Sequence, residues 1–136
     1  MLSTIDFSMR ILFVSNDLIA GHLAQLLKQE GNQVRLYIHE DGRKRNFHDL
    51  VDKVLDWRAE LPWVGKKGLI VFDDIGFGHF QDSLRTAGHN VFGGCEEGDL
   101  LEQNRVFGQK VFAQQGMKTL PIRNFETIEE AIKFVE

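Results

Sequence analysis

Apolar and polar residues along this chain alternate in a way that predicts strands and helices in turn. Near-continuous apolar runs at residues 10–15 and 68–74 predict strands buried on both faces, as in a parallel sheet. Shorter runs at residues 34–38 and 90–94 predict two more strands. Because each right-handed crossover packs a helix onto the sheet, the pattern predicts an open, doubly wound, Rossmann-like parallel α/β sheet with helices on both faces.

Apolar residues at helical spacing predict the connecting helices. One of these helices ends at Gly31, one covers residues 48–57, and one ends at Gly88. Two more are predicted near the C-terminal end, one ending at residues 115–116 and one covering residues 127–136. The chain therefore contains regular secondary structure from residue 10 to its last residues.

Composition and charge restrict the classes of protein to which the chain can belong. Its 136 residues, 43% hydrophobic and 26% charged, suit one soluble domain with one core. The net charge of −4 argues against a nucleic-acid partner, which needs a clustered basic surface. One basic cluster, at residues 43–45, follows Glu40 and Asp41, and a solvated loop is a better interpretation of it than a phosphate site.

Cysteine usage and hydropathy bear on the compartment. Cys95 is the one cysteine, which excludes an internal disulfide and a cysteine-based zinc site. The apolar runs are too short for a transmembrane helix, and residues 1–9 lack the pattern of a signal peptide. These features predict a cytoplasmic protein with no membrane partner.

Ligands of open α/β sheets bind at the carboxyl ends of the strands, so the loops there are the candidate sites. The first loop, beginning at Ser15 and Asn16, lacks the G-x-G-x-x-G pattern, and Asp17 would repel a phosphate at the start of the next helix. This argues against NAD or FAD. Ser15 and Asn16 can either contact a polar substrate or cap the helix that follows.

The loop after the third predicted strand is the second candidate. It contains Asp73, Asp74, Gly76 and Gly78 within six residues. Two carboxylates and two glycines can bind Mg²⁺ or the hydroxyl groups of a sugar. The alternative is structural: Asp74 caps the next helix and the glycines form the turn. The histidines are scattered without the spacing of a zinc site.

Two motifs carry a family resemblance. Residues 84–93, read as L-R-x-A-G-x-x-V-F-G, resemble a run in phosphoribosylamine–glycine ligase (glycinamide ribonucleotide synthetase). Residues 101–107, beginning Leu101-Glu102-Gln103-Asn104-Arg105, resemble the segment in which ATP-grasp ligases pass into their ATP-binding body. In that family a later helix is rich in Glu-Glu-Ala, which is found here at residues 129–131.

The resemblance implies a pre-ATP-grasp domain at residues 1–98 and the start of a truncated ATP-grasp domain at residues 99–136. It implies an ATP-dependent carboxylate–amine ligase of purine biosynthesis, in which an amine attacks an acyl phosphate. ATP and Mg²⁺ serve the full-length enzyme, and the magnesium-binding acids lie in the remainder of that enzyme, which is the implied partner. Arg105 occupies the position of a lysine and is expected to contact an ATP phosphate. No residue of this chain is expected to be catalytic, so the chain alone is predicted to be inactive.

Departures from the family pattern leave other interpretations open. The glycine-rich first loop of the family is absent, and its G-P-E after the third strand is replaced by residues 73–78. The small-molecule substrate is therefore not fixed by the resemblance. A stand-alone Rossmann-like or receiver-like module without catalysis is the alternative, although a receiver domain needs an acid pair where this chain has Asp17 alone. A surface salt bridge with Glu102 is the alternative role for Arg105.

Overall fold

The computed structural model of the chain describes residues 8–119 and 121–135. The strands are β1 Arg10–Ser15, β2 Gln33–Ile38, β3 Asp52–Val54, β4 Leu69–Phe72 and β5 Asn90–Phe92. The α-helices are α1 Gly21–Gln29, α2 Leu61–Val64, α3 Gly78–Thr86, α4 Glu96–Gln103, α5 Arg105–Gln114 and α6 Ile128–Val135. All the strand pairs are parallel, in the order β3-β2-β1-β4-β5. The predicted Rossmann-like α/β fold is confirmed.

Strand β1 lies at the centre of the sheet because its apolar run can be buried on both faces. Ile11 pairs with Val34 of β2 on one side and with Leu69 of β4 on the other. Residues 11–15 are all buried. Alternation sends Ile11 to one face and Leu12 to the other, so two hydrophobic cores form, one on each side of the sheet.

The two cores differ in the elements that close them. The first joins alternate residues of β1 and β2 to Ala24 of α1 and to Val51. The second joins the opposite face of β1 and β4 to Val64 of α2 and Leu84 of α3. Trp57 fills this second core, with its ring edge-on to Phe72 at a centroid distance of 5.7 Å.

The predicted helix at residues 48–57 is wrong. The chain instead passes through turns and forms the short strand β3, which pairs with β2. Val51 packs into the first core and Val54 packs against the second. In a helix the two valines would lie on one face. In an extended chain, side chains three positions apart point to opposite faces of the sheet. Leu55, counted in the helical stripe, is 92% exposed.

Helix α1 begins later than its apolar spacing suggests. Its N-cap residue is Ala20, which makes no side-chain capping bond, so Ser15, Asn16 and Asp17 do not cap it. Gly31 follows the C-cap of α1 and has a φ of 94°, so the helix ends at this glycine as predicted.

The basic cluster at residues 43–45 is in a solvated loop, as the sequence indicates. Arg43 pairs with Glu40 at 2.9 Å and Lys44 pairs with Asp41 at 2.6 Å. The hydrogen bond from the Lys44 ammonium lowers the pKa of the Asp41 carboxyl below its usual value. The local acids therefore neutralise most of this cluster.

The C-terminal elements are joined by a sharp break. Helix α4 ends at Gln103, and Asn104 caps α5 by accepting a hydrogen bond from Phe107 N at 3.0 Å. Helix α6 is confirmed over Ile128–Val135, where the Thr127 hydroxyl accepts a bond from Glu130 N at 3.3 Å. Residues 121–125 form no strand. None of the helices in the described residues is long and apolar enough to span a bilayer.

Candidate functional site at the carboxyl ends of β1 and β4

The sheet order reverses between β1 and β4. From β1 the chain proceeds outward to β2 and β3, and it then returns to β4 and β5 on the other side. The loops that leave neighbouring strands β1 and β4 therefore diverge, which opens a crevice at their carboxyl ends. Both sequence-predicted loops, beginning at Ser15 and at Asp73, meet at this crevice.

Asn16 connects the two loops. Its side-chain Nδ2 donates to the Ile75 carbonyl at 2.9 Å, and its own carbonyl accepts from Glu40 N at 2.9 Å. Ser15 is buried, and its Oγ accepts a hydrogen bond from Leu18 N at 2.7 Å. These polar groups shape the loop after β1, because they hold it against β4 and β2.

Leu18 takes a backbone conformation that is unusual for its residue type. Its φ is 75°, in the left-handed region, which costs a branched residue about 1–2 kcal/mol. The bonds that Ser15 Oγ and Asp73 Oδ2 accept from Leu18 N and Ala20 N, both at 2.7 Å, hold this loop in place. Backbone strain of this kind collects at functional sites, where surrounding structure enforces it.

Asp73 is the most constrained acid of the crevice. Its Oδ2 accepts from Ala20 N, whereas its Oδ1 is buried and has no hydrogen-bond partner within the described residues. Burial raises the pKa of Asp73 above its usual value, and hydrogen bonds from Ala20 and Ser15 offset part of that effect. A ligand with a positive charge or a hydrogen-bond donor would stabilise the ionised form.

Asp74 and Gly76 shape the rest of the β4 loop. Asp74 Oδ1 accepts from Ile75 N at 2.8 Å, so Asp74 supports its own loop and does not cap α3, whose N-cap residue is Phe77. Gly76 has a φ of 90°, and a Cβ there would lie 3.8 Å from Gln103 Nε2 and 3.9 Å from Asn16 Nδ2. Two amide groups therefore flank Gly76.

Gly78 has a packing role that the sequence did not indicate. A Cβ at Gly78 would lie 2.4 Å from the carbonyl oxygen of Cys95, so only glycine permits α4 to approach α3 this closely. Gly78 N donates to Asp99 Oδ2 at 2.6 Å, and in return Glu96 N donates to Asp82 Oδ2 at 2.9 Å. Each helix thus caps the first turn of the other.

Helix α4 and the β4 loop enclose a cleft of about 380 Å³. Four of the described residues that line it are acids, and none is basic. The lining residues are Phe72, Asp73, Asp74, Ile75, Gly94, Gly98, Asp99 and Glu102. The structure therefore brings Asp73 and Asp74 to the cleft, whereas Ser15, Asn16 and Gly76 form the adjoining part of the crevice. Gly78 is buried in the α3–α4 contact.

Gln81 was not predicted from the sequence to lie near the site. Its side chain is fully buried, and neither amide atom has a partner in the described part of the chain. A Cβ at Gly93 would lie 2.1 Å from Gln81 Oε1 and 3.1 Å from Phe72 Cβ, which places the amide just behind the cleft wall. In the sequence Gln81 is an ordinary helix residue, and nothing in its spacing signals burial.

Arg105 lies apart from the crevice, at the first position of α5. It lines a second cleft, of about 450 Å³, together with the cationic Lys118 and the apolar side chains of Phe112 and Ile122. Glu102 belongs to α4, so the expected contact with Arg105 across one turn of a single helix is not possible. No ion pair joins these two residues among those that the described chain forms.

The described residues contain no group of three or more His, Cys, Asp or Glu side chains that could hold a metal ion. His79 is exposed, with its Nδ1 3.9 Å from Glu96 Oε2.

Comparison with other proteins adds no family assignment. No protein-family model, curated protein or solved structure matches the chain. What the sequence and geometry establish together is a Rossmann-like α/β domain with a polar crevice at the β1–β4 switch point.

Proposed function

We propose that this chain is the N-terminal domain of an ATP-dependent carboxylate–amine ligase resembling phosphoribosylamine–glycine ligase. The observation that carries the proposal is the position of α4, which contains Leu101-Glu102 and covers the crevice after β4. The segment at residues 84–93 includes the end of α3 and the segment at residues 101–107 includes the end of α4, so the contact between α3 and α4 joins the two helices that carry these segments. A ligase needs this proximity, because its substrate domain and ATP-binding body share one reaction site.

The charge of the crevice supports binding of an amine. Asp73, Asp74 and Glu102 line the cleft, and none of the described lining residues is basic. Carboxylates accept hydrogen bonds from ammonium and hydroxyl groups and repel phosphate. The amine end of a substrate therefore suits this cleft, and an attached phosphate group must lie outside it.

The cleft lined by Arg105 and Lys118 supports ATP binding by this domain. Arg105 and Lys118 provide two cations beside an apolar surface formed by Phe112, Met117 and Ile122. A guanidinium remains charged and can donate two parallel hydrogen bonds to a phosphate. In a ligase of this class ATP activates the carboxylate by phosphoryl transfer, and these residues bind and orient the nucleotide. The Mg²⁺ ligands belong to the remainder of the enzyme.

Uncovered apolar residues support the presence of a partner surface. Many large apolar side chains of the C-terminal part are more than a third exposed: Leu100, Leu101, Val106, Phe112, Met117, Ile122, Phe125, Ile128, Ile132, Phe134 and Val135. An apolar surface of this extent is typical of an interface. The body of an ATP-grasp enzyme is the partner that the resemblance implies.

A binding module without catalysis is the second candidate. The observation that favours it is the crevice itself, whose two loops and α4 wall are all supplied by residues 15–103. Such a module binds its ligand without ATP. The two functions therefore differ in whether binding is followed by nucleotide hydrolysis.

The test of the ligase proposal uses the complete product of the encoding gene. We expect ADP and phosphate to form only when ATP, a carboxylate and an amine are all present. This 136-residue chain should release no ADP in the same assay. An amine-independent ATPase, or a complete gene product with no ATP turnover, would contradict the ligase proposal and favour the binding module.

The role of Arg105 is tested in the same complete protein. Arg105→Ala should weaken ATP binding more than it lowers the melting temperature, because Arg105 forms no ion pair within the described residues. Arg105→Lys is the matched variant and should retain most of the affinity, since lysine also binds phosphate. Unchanged ATP affinity with a lowered melting temperature would assign Arg105 a structural role.

The crevice is tested by chemical-shift mapping with D-ribose 5-phosphate and Mg²⁺. The hydroxyl groups of the sugar can donate to the acids of the crevice, while the phosphate group lies outside the acidic cleft. We expect perturbed amides at Ile75 and Gly76, and opposite them at Asn16, because these residues surround the crevice. Perturbations confined to the N-terminal ends of the strands would rule out ligand binding in the crevice.

A further inference from the structure

We propose a second, anion-binding site at the opposite end of the sheet, for a ligand that carries a phosphate group. A cleft of about 430 Å³ opens there between residues 8–10, which lead into β1, and residues 64–68, which lead into β4. It lies at the N-terminal ends of these strands. At about 3.3 Å per residue, the length of β1 separates it from the crevice by about 15–20 Å.

The charge of this cleft is opposite to that of the crevice. Arg10, Lys66 and Lys67 line it, and no acid is among the described residues that do so. The whole chain has a net charge of −4, so this concentration of cations is a local feature. Clefts lined by one sign of charge concentrate ligands of the opposite sign.

Two of the cations have structural partners that leave most of their donors free. Arg10 Nη1 donates to the Trp63 carbonyl at 2.9 Å, and Lys66 Nζ donates to the Ala87 carbonyl. Both carbonyls belong to helix ends or lie close to them, where cations are favoured by the helix dipole. A guanidinium has five N–H donors and an ammonium has three, so each can still bind an anion.

Lys67 is the third cation of the cleft, and its side chain forms no ion pair or hydrogen bond with the described residues. Lys67 is also exposed. Arg10 and Lys66 are thus held in place beside a third charge that is free to reach a ligand. Three cations around one cleft favour a dianion over a monoanion.

The backbone between α2 and β4 is held in a fixed shape. Gly65 has a φ of 63°, and a Cβ there would meet nothing within 4 Å, so bare backbone faces open space. His89 Nδ1 lies 3.0 Å from the Gly65 carbonyl, and Asn90 Nδ2 donates to the carbonyls of Lys66 and Gly68 at 3.1 and 3.2 Å. A turn fixed in this way loses little entropy when a ligand binds.

Gly68 brings the two walls of the cleft together. A Cβ at Gly68 would lie 2.4 Å from the Val64 carbonyl oxygen and 2.6 Å from that of Arg10. Any larger residue would separate the turn from the start of β1. The close approach places the Arg10 guanidinium and the two lysines around the same opening. Because this opening lies about 15–20 Å from the crevice, an anion bound in it would not contact a ligand in the crevice.

The test is a titration of this chain with inorganic phosphate, followed by amide chemical shifts. We expect perturbations at Arg10 and at residues 65–68. Lys67→Glu should reduce the phosphate affinity by at least about tenfold, since it replaces attraction by repulsion. Lys133→Glu is the matched control: Lys133 is exposed on α6, outside this cleft and outside the cleft beside Arg105, and the variant should bind phosphate as the parent does. Both variants should melt as the parent protein does.

Three results would overturn the proposal. Equal loss of affinity in the two variants would indicate a general effect of net charge. Acetate as effective as phosphate at the same concentration would show that the cleft does not select a dianion. Perturbations at Ile75 and Gly76 without any at residues 65–68 would place the anion in the crevice. The outcome is independent of the ligase assay, which concerns the opposite end of the sheet.

Discussion

The α/β body at residues 10–92 and the C-terminal segment at residues 105–135 contain similar proportions of apolar residues but bury them very differently. Among the described residues, all sixteen buried members of the two hydrophobic cores come from residues 11–84. Between residues 105 and 135, Gly108 is the one buried residue among those described. Helix α6 has a pronounced apolar face, yet Ile128 is 70% exposed and Val135 is 79% exposed.

The difference shows that apolar residues at helical spacing predict a helix but do not by themselves show that its apolar face is buried. Helix α6 can form locally, because Thr127 caps it and its apolar residues recur at helical spacing. Burial requires a second surface, and the sheet already has both of its faces covered by its own helices. The body therefore buries its own apolar residues, whereas most of those in the C-terminal segment remain exposed.

The strongest test of this comparison substitutes one phenylalanine in each region. Phe13→Ala empties a fully buried position in the first core and should cost about 3–5 kcal/mol of unfolding free energy. Phe134→Ala removes a ring that is 55% exposed and should cost less than about 1 kcal/mol. Urea denaturation followed by tryptophan fluorescence measures both. Similar costs would mean that the C-terminal segment is part of the same core.

The contact between α3 and α4 is tested by adding one methyl group. Gly78→Ala places a Cβ 2.4 Å from the Cys95 carbonyl oxygen, which forces the helices apart and should cost about 1–3 kcal/mol. Gly98→Ala is the matched control, because its Cβ would meet Cys95 Sγ at 3.6 Å, an ordinary contact. That variant should be neutral or more stable by up to about 1 kcal/mol. Equal thermal shifts would contradict the packing role of Gly78.

The half-buried carboxyl of Asp73 should make stability depend on pH. Because its pKa is raised on folding, its contribution to stability is fully present below the unfolded pKa and is lost as pH rises through the folded value. Asp73→Asn keeps an oxygen that can accept from Ala20 N and removes the buried charge. We expect its melting temperature to exceed the parent's by about 1–3 °C at about pH 7 and to match it near pH 3. A lower melting temperature at pH 7 would show that the fold needs the carboxylate.

The smallest effect is expected from removing the end of the C-terminal segment. A chain of residues 1–116 retains α5, whose Gly108 approaches the Leu101 carbonyl oxygen, and it lacks α6. Its melting temperature should stay within about 2 °C of the parent's, because no described residue beyond 116 is buried. A drop several times larger would show that α6 supports the body.

The sequence predicted the sheet better than it predicted the connections. Four of the strands follow from apolar runs. The runs of β1 and β4 are nearly continuous because both faces of these strands are covered. Strand β3 was mistaken for a helix, because Val51 and Val54 are spaced as in a helical stripe. Their true arrangement depends on pairing with β2, which a local pattern does not contain.

By itself, then, the sequence determined the α/β class, the burial of β1 on both faces and the two candidate loops at the carboxyl ends of β1 and β4, because these depend on hydrophobic patterning and chain order. Tertiary structure decided which groups those loops engage. Asp99 caps Gly78, Asp73 binds Ala20 N, and Gln81 lies buried behind Gly93. Each of these contacts joins residues 12 to 53 positions apart. Such pairings are set by how the helices pack on the sheet, so they cannot be inferred from the spacing of residues along the chain.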